Sequence, residues 1–146
     1  MSMAAPILLH ASCVARDGAG VLLLGPSGTG KSDLALRLLA RGFVLVADDQ
    51  VTIAAGRAAP APSLAGLLEV RGLGIVRLPY LASAPVMLAV DLAARPVRLP
   101  VPARHAALDL PLIGLDPALP SAPERVAMAL DCVQGRAVQM VGAFAA

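Results

Sequence analysis

The residues best suited to chemistry lie in one stretch, GPSGTGKS, which satisfies the phosphate-binding pattern G-x-x-x-x-G-K-[ST] at every fixed position. In such a loop the glycines let successive backbone N–H groups converge on phosphate oxygens, and the next helix adds its positive N-terminus. Lys31 supplies a full positive charge, and the hydroxyl of Ser32 is suited to magnesium. We therefore predict that nucleotide phosphates bind to Gly25, Pro26, Ser27, Gly28, Thr29, Gly30, Lys31 and Ser32.

The alternative for this stretch is a Gly/Pro turn that joins two buried elements. Lys31 argues against that alternative, because it is the only lysine in a chain that has 12 basic residues. A composition so poor in lysine favours a specific role for the one lysine that is present.

A pair of acidic residues, Asp48 and Asp49, follows the apolar run Phe43 to Ala47. A carboxylate at the end of a strand beside a phosphate loop can reach the magnesium or its waters. Successive strand residues point to opposite faces, so one aspartate could address the metal and the other a reacting hydroxyl, unless the strand ends between them. The alternative is a simple polar turn.

The elements that must position these groups follow from the pattern around them. Val21 to Leu24 is typical of a buried parallel strand, and Asp33 to Leu39 of a helix that ends near Arg41-Gly42. Pro6 to Ala15 has the length of a strand, and the turn residues after it make it an antiparallel neighbour of the phosphate-loop strand. Strand, loop and helix in this order indicate an α/β fold with a mixed sheet and flanking helices.

Further along, the apolar pattern is less regular. Residues 52 to 63 indicate a loop or a weak hairpin, and Glu69 and Arg71 alternate with apolar neighbours as on a half-buried strand. The glycines at 72 and 74 suit either a β-bulge or a hairpin turn. Later strands are predicted at Val86 to Leu92, Val97 to Val101 and Leu108 to Ile113, the last with a proline that suggests an edge.

A second helix is predicted to begin at Ser121 and to end at Gly135. Ser121 and Glu124 have the spacing of a capping box, and Pro123 suits the first turn. The apolar face would be Val126, Leu130 and Val133, and the tail from Ala137 to Ala146 predicts no element.

Composition limits the classes of protein that fit. The 146 residues suit one domain spanning 1–146, with a core built from alanine, leucine and valine. The net charge is +2 with scattered arginines and few aromatic side chains, which does not favour nucleic-acid binding. No apolar run has membrane-spanning length and no leader is evident, so we predict a cytoplasmic protein without membrane contact. Cys13 and Cys132 are predicted to be buried free thiols.

Three segments together resemble a known family. They are GPSGTGKSD, the segment RGFVLVADD that ends at Asp49, and LEVRGLGI from Leu68 to Ile75, with His10 fifteen residues before the first loop glycine. Taken alone, His10 would more often be structural. In this combination the chain resembles the C-terminal catalytic domain of HPr kinase/phosphorylase, over residues 6 to about 80. The resemblance implies a P-loop kinase core related to that of phosphoenolpyruvate carboxykinase.

The resemblance also implies an activity. Members use ATP and Mg²⁺ to phosphorylate a serine of HPr, the phosphocarrier protein of the sugar phosphotransferase system, and many also reverse the reaction with inorganic phosphate. It therefore implies an HPr-like protein partner, and a homo-oligomer, since longer members are hexamers. His10 falls almost at the chain start, which resembles the short form found in alphaproteobacteria, without an N-terminal regulatory domain.

Residue roles are implied by position. Lys31 would contact the transferred group, and Asp49, with Asp48 beside it, would take the serine proton. His10 matches an active-site histidine. Metal positions would be Ser32, Glu69 and Asp33, and a catalytic arginine is matched less closely by Arg98.

Two departures from the family qualify the activity. Asp33 stands where a glutamate is usual and is one methylene shorter. The Pro/Arg-rich loop tied to dephosphorylation has no clear counterpart, because Leu115 to Ser121 falls there, so kinase activity is predicted more firmly than phosphorylase activity.

Two other functions remain open on the sequence. The chain could be a P-loop NTPase or small-molecule kinase with another acceptor. It could also be a regulatory nucleotide-binding module with weak catalysis.

Overall fold

The computed structural model describes residues 5–145 and has a mixed α/β architecture, as predicted. Its first half contains β1 (Ile7–Leu9), β2 (Ser12–Arg16), β3 (Ala19–Leu24), α1 (Lys31–Leu39), β4 (Val44–Ala47), β5 (Val51–Ala54), β6 (Arg57–Pro60) and a short 3-10 helix (Pro62–Leu64). Its second half contains β7 (Leu67–Val70), β8 (Gly74–Arg77), β9 (Ala84–Asp91), β10 (Arg104–His105), β11 (Leu110–Gly114) and α2 (Ala122–Val133).

Nine of these strands form one mixed sheet, and β7 and β8 form a separate hairpin. The order along the main path is β1, β5, β6, β9, β3, β2, β4, and β11 pairs in parallel with β9. The phosphate-loop strand β3 lies in parallel beside β9, so the prediction of a parallel strand at Val21 to Leu24 is confirmed.

The start of the chain forms two strands rather than the single one predicted from Pro6 to Ala15. β1 pairs with β5, whereas β2 pairs antiparallel with both β3 and β4. The break at His10 and Ala11 lets the chain pass from one part of the sheet to another. Its position depends on pairing with strands that are distant in the sequence. The antiparallel pairing of β2 with β3 is confirmed, and Asp17 and Gly18 form the two-residue turn with φ of 51° and 80°.

Both faces of the central strands are buried. Val21 and Leu23 of β3 belong to a core that α1 and α2 cover, whereas Leu22 faces a second core shared with β5 and β6. Because side chains alternate between the two faces, a strand covered on both sides must be apolar at every position. This explains the unbroken apolar run before the phosphate loop.

Two stretches that the sequence left open are hairpins. Residues 51–60 fold as β5 and β6 around Ala55 and Gly56, both at positive φ. β7 and β8 pair from Leu67 to Arg77, with the turn at residues 71–73 and Gly72 at φ 80°. Gly72 therefore lies in a hairpin turn and Gly74 begins β8 opposite Val70, and the pairing has no bulge.

The strand predicted at Val97 to Val101 is wrong. These residues have no regular structure, and the side chains of Val97, Leu99 and Val101 are 65%, 61% and 78% exposed. Prolines at 96, 100 and 102 remove backbone donors at close intervals, which disfavours a sheet ladder. By contrast, the predicted strands at Val86 to Leu92 and Leu108 to Ile113 are present as β9 and β11.

Helix α2 begins after Ser121, and Gly135 with φ 77° follows its end, as predicted. The prediction of a capping box is wrong, because the Ser121 side chain makes no capping hydrogen bond. Ser121 has φ −88° and ψ 9°, not the extended backbone that directs a capping side chain to the helix. Its hydroxyl instead accepts from Arg125 Nε at 2.9 Å, and Glu124 pairs with Arg41 Nε at 3.0 Å.

Both cysteines are free thiols, but only one of them is fully buried. Cys13 has no exposed surface, and Cys132 is half-buried. Within residues 5–145, no helix is long and apolar enough to cross a membrane.

Candidate active site

A cavity of about 500 Å³ opens where the phosphate loop, the end of β4, the β1–β2 junction and the β7–β8 hairpin meet. It brings together most of the residues that the sequence singled out. The cavity is lined by His10, Ser12, Ser27, Gly28, Gly30, Lys31, Ser32, Asp33, Leu36, Asp49, Glu69, Val70 and Arg71.

The phosphate loop is shaped by glycines at positive φ. Gly25, Gly28 and Gly30 have φ of 151°, 86° and 96°. A Cβ atom on Gly25 would lie 2.6 Å from Thr29 Oγ1, and that hydroxyl donates to the Pro26 carbonyl at 2.7 Å. This hydrogen bond closes the loop, and a side chain at Gly25 would displace the Thr29 hydroxyl that makes it.

Lys31 lies within the loop. Its side chain is nearly buried, and Nζ donates to the carbonyls of Gly25 at 2.6 Å and Pro26 at 3.0 Å. Because the ammonium is held by the loop itself, a positive charge is fixed where the loop amides and the start of α1 would meet a phosphate.

Asp48 lies behind the cavity and joins two hydroxyls. Its Oδ1 accepts from Ser32 Oγ at 2.8 Å and from Ser12 Oγ at 2.6 Å, and the residue is 6% exposed. A hydroxyl and a buried carboxylate beside a phosphate loop are hard oxygen donors of the kind Mg²⁺ takes.

The other two candidate metal positions also line the cavity. Glu69 is exposed on β7, and Asp33 is exposed with its Oδ2 atom 3.2 Å from Arg37 Nε. The Arg37 N–H is not aimed at that oxygen, so the contact is an ion pair without a hydrogen bond. Residues 5–145 hold no cluster of three or more His, Cys, Asp or Glu that could bind a metal alone. This donor set fits Mg²⁺, which is commonly held by one or two carboxylates together with substrate phosphates.

Asp49 faces the opposite way from Asp48. β4 ends at Ala47, and Asp49 has φ 69°, a left-handed conformation that aspartate tolerates better than most residues. Its Oδ1 accepts from His10 Nε2 at 2.8 Å, and both side chains are more than half exposed. The two adjacent aspartates thus have separate environments: Asp48 is bonded to serines below the loop, and Asp49 is paired with a histidine at the cavity surface.

Arg98 is not brought to this cavity. It lies in the exposed irregular segment after β9 and is not among the lining residues. The cavity is also lined by four residues that the sequence did not single out as site residues, Ser12, Leu36, Val70 and Arg71. Arg71 could have been found from its position beside Glu69, whereas Ser12 has no local signal because its role depends on strand pairing.

Comparison with known proteins gives a consistent result. A family model described as HPr Serine kinase C-terminal domain matches residues 1–83. An HPr kinase/phosphorylase from Clostridium tetani is 47% identical over 77 residues, which cover 50% of this chain and 25% of that protein. One from Bordetella petrii is 52% identical over 66 residues, 40% of this chain and 21% of that protein. The chain therefore spans about a quarter of the length of these curated relatives.

The fold has a counterpart among solved structures. The structure of the Hpr(Ser) kinase/phosphatase from Coxiella burnetii has a TM-score of 0.70 and covers 89% of this chain and 92% of its own. At 20% identity this likeness concerns the fold alone. The family match spans more than half of the 146 residues and includes the phosphate loop, both aspartates and Glu69. The chain belongs to the HPr Serine kinase C-terminal domain family.

Proposed function

We propose that this chain is an ATP-dependent protein-serine kinase whose acceptor is an HPr-like phosphocarrier protein. The observation that carries the proposal is the exposed pair of Asp49 and His10, which lines the same cavity as the phosphate loop. A solvent-facing carboxylate beside a phosphate cradle suits a hydroxyl on another molecule. The family membership and the names of the relatives supply the acceptor.

The donor side of the site would be formed by the phosphate loop, with ATP as the substrate. Gly25 to Ser32 would hold its phosphates, and the fixed ammonium of Lys31 would lie against the transferred group. Mg²⁺ would be held by Ser32 and Asp48, with Glu69 and Asp33 at the cavity wall, and would neutralise charge on the phosphates.

On the acceptor side, Asp49 would act as the general base. The serine oxygen forms a bond to the γ-phosphorus while the bond from that phosphorus to the β–γ bridging oxygen breaks, and ADP leaves. The serine proton passes to the Asp49 carboxylate. His10 would donate a hydrogen bond from its Nε2–H to Asp49 Oδ1, keep its own proton, and so orient the carboxylate. The catalytic role of Arg98 stays a prediction, and its position outside the cavity does not support it.

The reverse reaction is the weaker part of the proposal. The segment Leu115 to Ser121 is attached to α1, since the carbonyls of Pro117 and Leu119 accept from Arg37. Because this segment is no clear counterpart of the Pro/Arg-rich loop that the family ties to dephosphorylation, we favour the kinase direction. Incubation with phosphoserine-HPr and inorganic phosphate tests this preference, and rapid release of HPr would overturn it.

Three further properties are proposed with the function. Residues 1–146 would act as a single catalytic domain, the chain would form a homo-oligomer as longer members do, and the enzyme would work in the cytoplasm. No nucleic acid or membrane is needed for the proposed reaction.

The decisive experiment uses radiolabelled ATP and Mg²⁺ with HPr and with an HPr variant that lacks the regulatory serine. We expect label on the first protein and none on the second. Equal labelling of both would refute the serine assignment. Rapid ATP hydrolysis without any acceptor protein would favour an NTPase or a small-molecule kinase instead.

A further inference from the structure

Ser12 is a buried hydroxyl in an apolar strand. It has no exposed surface, and the next three residues of β2, Cys13, Val14 and Ala15, are buried and apolar. Burial of a hydroxyl is unfavourable unless a hydrogen bond compensates for the lost water. The compensating partner of Ser12 is the Asp48 carboxylate, at 2.6 Å.

A β-bulge brings these two residues together. β2 and β4 pair Val14 with Leu45 but Cys13 with Ala47, so β4 has one extra residue at this point. In regular pairing Ser12 would face Ala47. The extra residue places Asp48 there instead, in keeping with the common use of bulges to redirect a side chain beside a site.

Both serines donate to the same oxygen of Asp48. Ser12 Oγ and Ser32 Oγ each bond to Oδ1, and within residues 5–145 no protein group donates to Oδ2. Both serines line the cavity, but Ser32 lies in the first turn of α1 after the phosphate loop, whereas Ser12 lies on β2 and has no exposed surface. The carboxylate is therefore held by one hydroxyl from the phosphate loop and by a second, fully buried hydroxyl from the sheet.

We propose that Ser12 is a positioning residue that fixes the Asp48 carboxylate for the Mg²⁺ of the nucleotide complex. The inference deepens the proposed function and rests on it. If Ser12 lost its hydroxyl, Asp48 would be held only by Ser32, whose oxygen is itself needed by the cation. Residues that orient a metal ligand without touching the metal commonly change metal affinity by about 10–100-fold when replaced.

The test uses a matched pair of variants, Ser12→Thr and Ser12→Val, which add nearly the same volume and differ in the hydroxyl. Calorimetry would measure ATP affinity in Mg²⁺ and in EDTA for each variant. We expect the gain in affinity due to Mg²⁺ to be kept by Ser12→Thr and to fall about tenfold in Ser12→Val. Affinity in EDTA should be the same for both variants. Ser12→Ala, which adds no volume, should reproduce the Val result if the Val variant folds poorly.

The outcomes separate this inference from the proposed function. Equal Mg²⁺ gains for Thr, Val and Ala, or a loss that is as large in EDTA, would leave Ser12 a packing residue and overturn the inference. A wild-type chain without any gain from Mg²⁺ would overturn both. Normal Mg²⁺-dependent binding without transfer to HPr would overturn only the proposed function, and the variant comparison would still decide the role of Ser12.

Discussion

Two neighbouring aspartates can have different roles because β4 ends before them and Asp49 has a left-handed backbone conformation. Asp48 is buried and accepts from two hydroxyls, whereas Asp49, at φ 69°, is exposed and accepts from His10. A carboxylate with two hydroxyl donors in a buried position is suited to a fixed structural charge. An exposed one can meet an acceptor and exchange a proton with it.

Replacement of Asp49 by Asn should therefore abolish transfer and spare nucleotide binding. Loss of a general base typically reduces the rate about 10²–10⁴-fold. We expect such a fall in the rate of HPr phosphorylation, with ATP affinity in Mg²⁺ nearly unchanged. Asp48→Asn should give the complementary result, with a weaker effect of Mg²⁺ on ATP affinity. Steady-state transfer rates and calorimetry measure the two properties.

Asp17 provides the matched control for this change. It is exposed, has φ 51°, and lies in the β2–β3 turn, so Asp17→Asn repeats the chemical change at the same kind of backbone position. The Asp17→Asn variant should phosphorylate HPr at the wild-type rate. Undiminished transfer by Asp49→Asn would show that another group accepts the proton.

The Cys13 thiol predicts a pH dependence of stability. Burial raises the pKa of Cys13 from an ordinary 9.0 to about 12. Below pH 9 the thiol keeps its proton in both the folded and the unfolded chain, so its contribution to the free energy of unfolding is fully present. Between pH 9 and about 12 only the unfolded chain ionises, and the free energy of unfolding falls by about 1.4 kcal/mol per pH unit.

Urea unfolding of wild type and Cys13→Ala across pH 8 to 11 measures this effect. The variant lacks the thiol and should lose less stability over the range, although its smaller side chain lowers stability at every pH. Parallel curves would mean that Cys13 ionises equally in both states.

At the scale of the element, the phosphate loop depends on glycine for its shape. Gly25 has φ 151°, a region that is strained for other residues by about 1–3 kcal/mol, and its Cβ would meet Thr29 Oγ1 at 2.6 Å. Gly25→Ala should therefore weaken ATP binding by about tenfold or more, since each 1.4 kcal/mol is tenfold.

Gly18→Ala serves as the control for the Gly25 change. Gly18 also has positive φ, 80°, but no atom lies within 4 Å of its Cβ position. It precedes β3, whereas the phosphate loop follows the other end of that strand. The Gly18→Ala substitution should lower the free energy of unfolding modestly and leave ATP affinity unchanged. Wild-type affinity in Gly25→Ala would mean that the loop adapts to the extra methyl group.

The elements also show what the sequence could and could not predict. The loop, α1, β3 and β9 follow from local patterns, because glycine spacing and apolar runs are properties of neighbouring residues. The division of the first strand at His10, the bulge opposite Cys13 and the contact of Ser12 with Asp48 depend on pairing between distant segments. Val97 to Val101 has strand-like apolar residues, but its prolines and lack of a partner strand keep it irregular.

At the scale of the whole molecule, the region outside the family match pairs with and covers the strands inside it. The match ends at residue 83, and β9 begins at Ala84. β9 pairs with β3, β6 and β11, and α2 covers the core that contains Val21 and Leu23. The phosphate-loop strand therefore depends on residues that the family pattern does not describe, which supports one domain over the chain.

A chain that ends at Ser83 should therefore fail to fold. Without β9, the edge of β3 loses its parallel partner, and without α2 the apolar side chains of β3 face water.

The full chain should unfold in a single transition with equal calorimetric and van't Hoff enthalpies, on the order of 100 kcal/mol for its length. Circular dichroism and methyl proton shifts would compare the two chains. A shortened chain with dispersed methyl signals and ATP binding would show that residues 5–83 form an independent unit, and two transitions in the full chain would contradict the single domain.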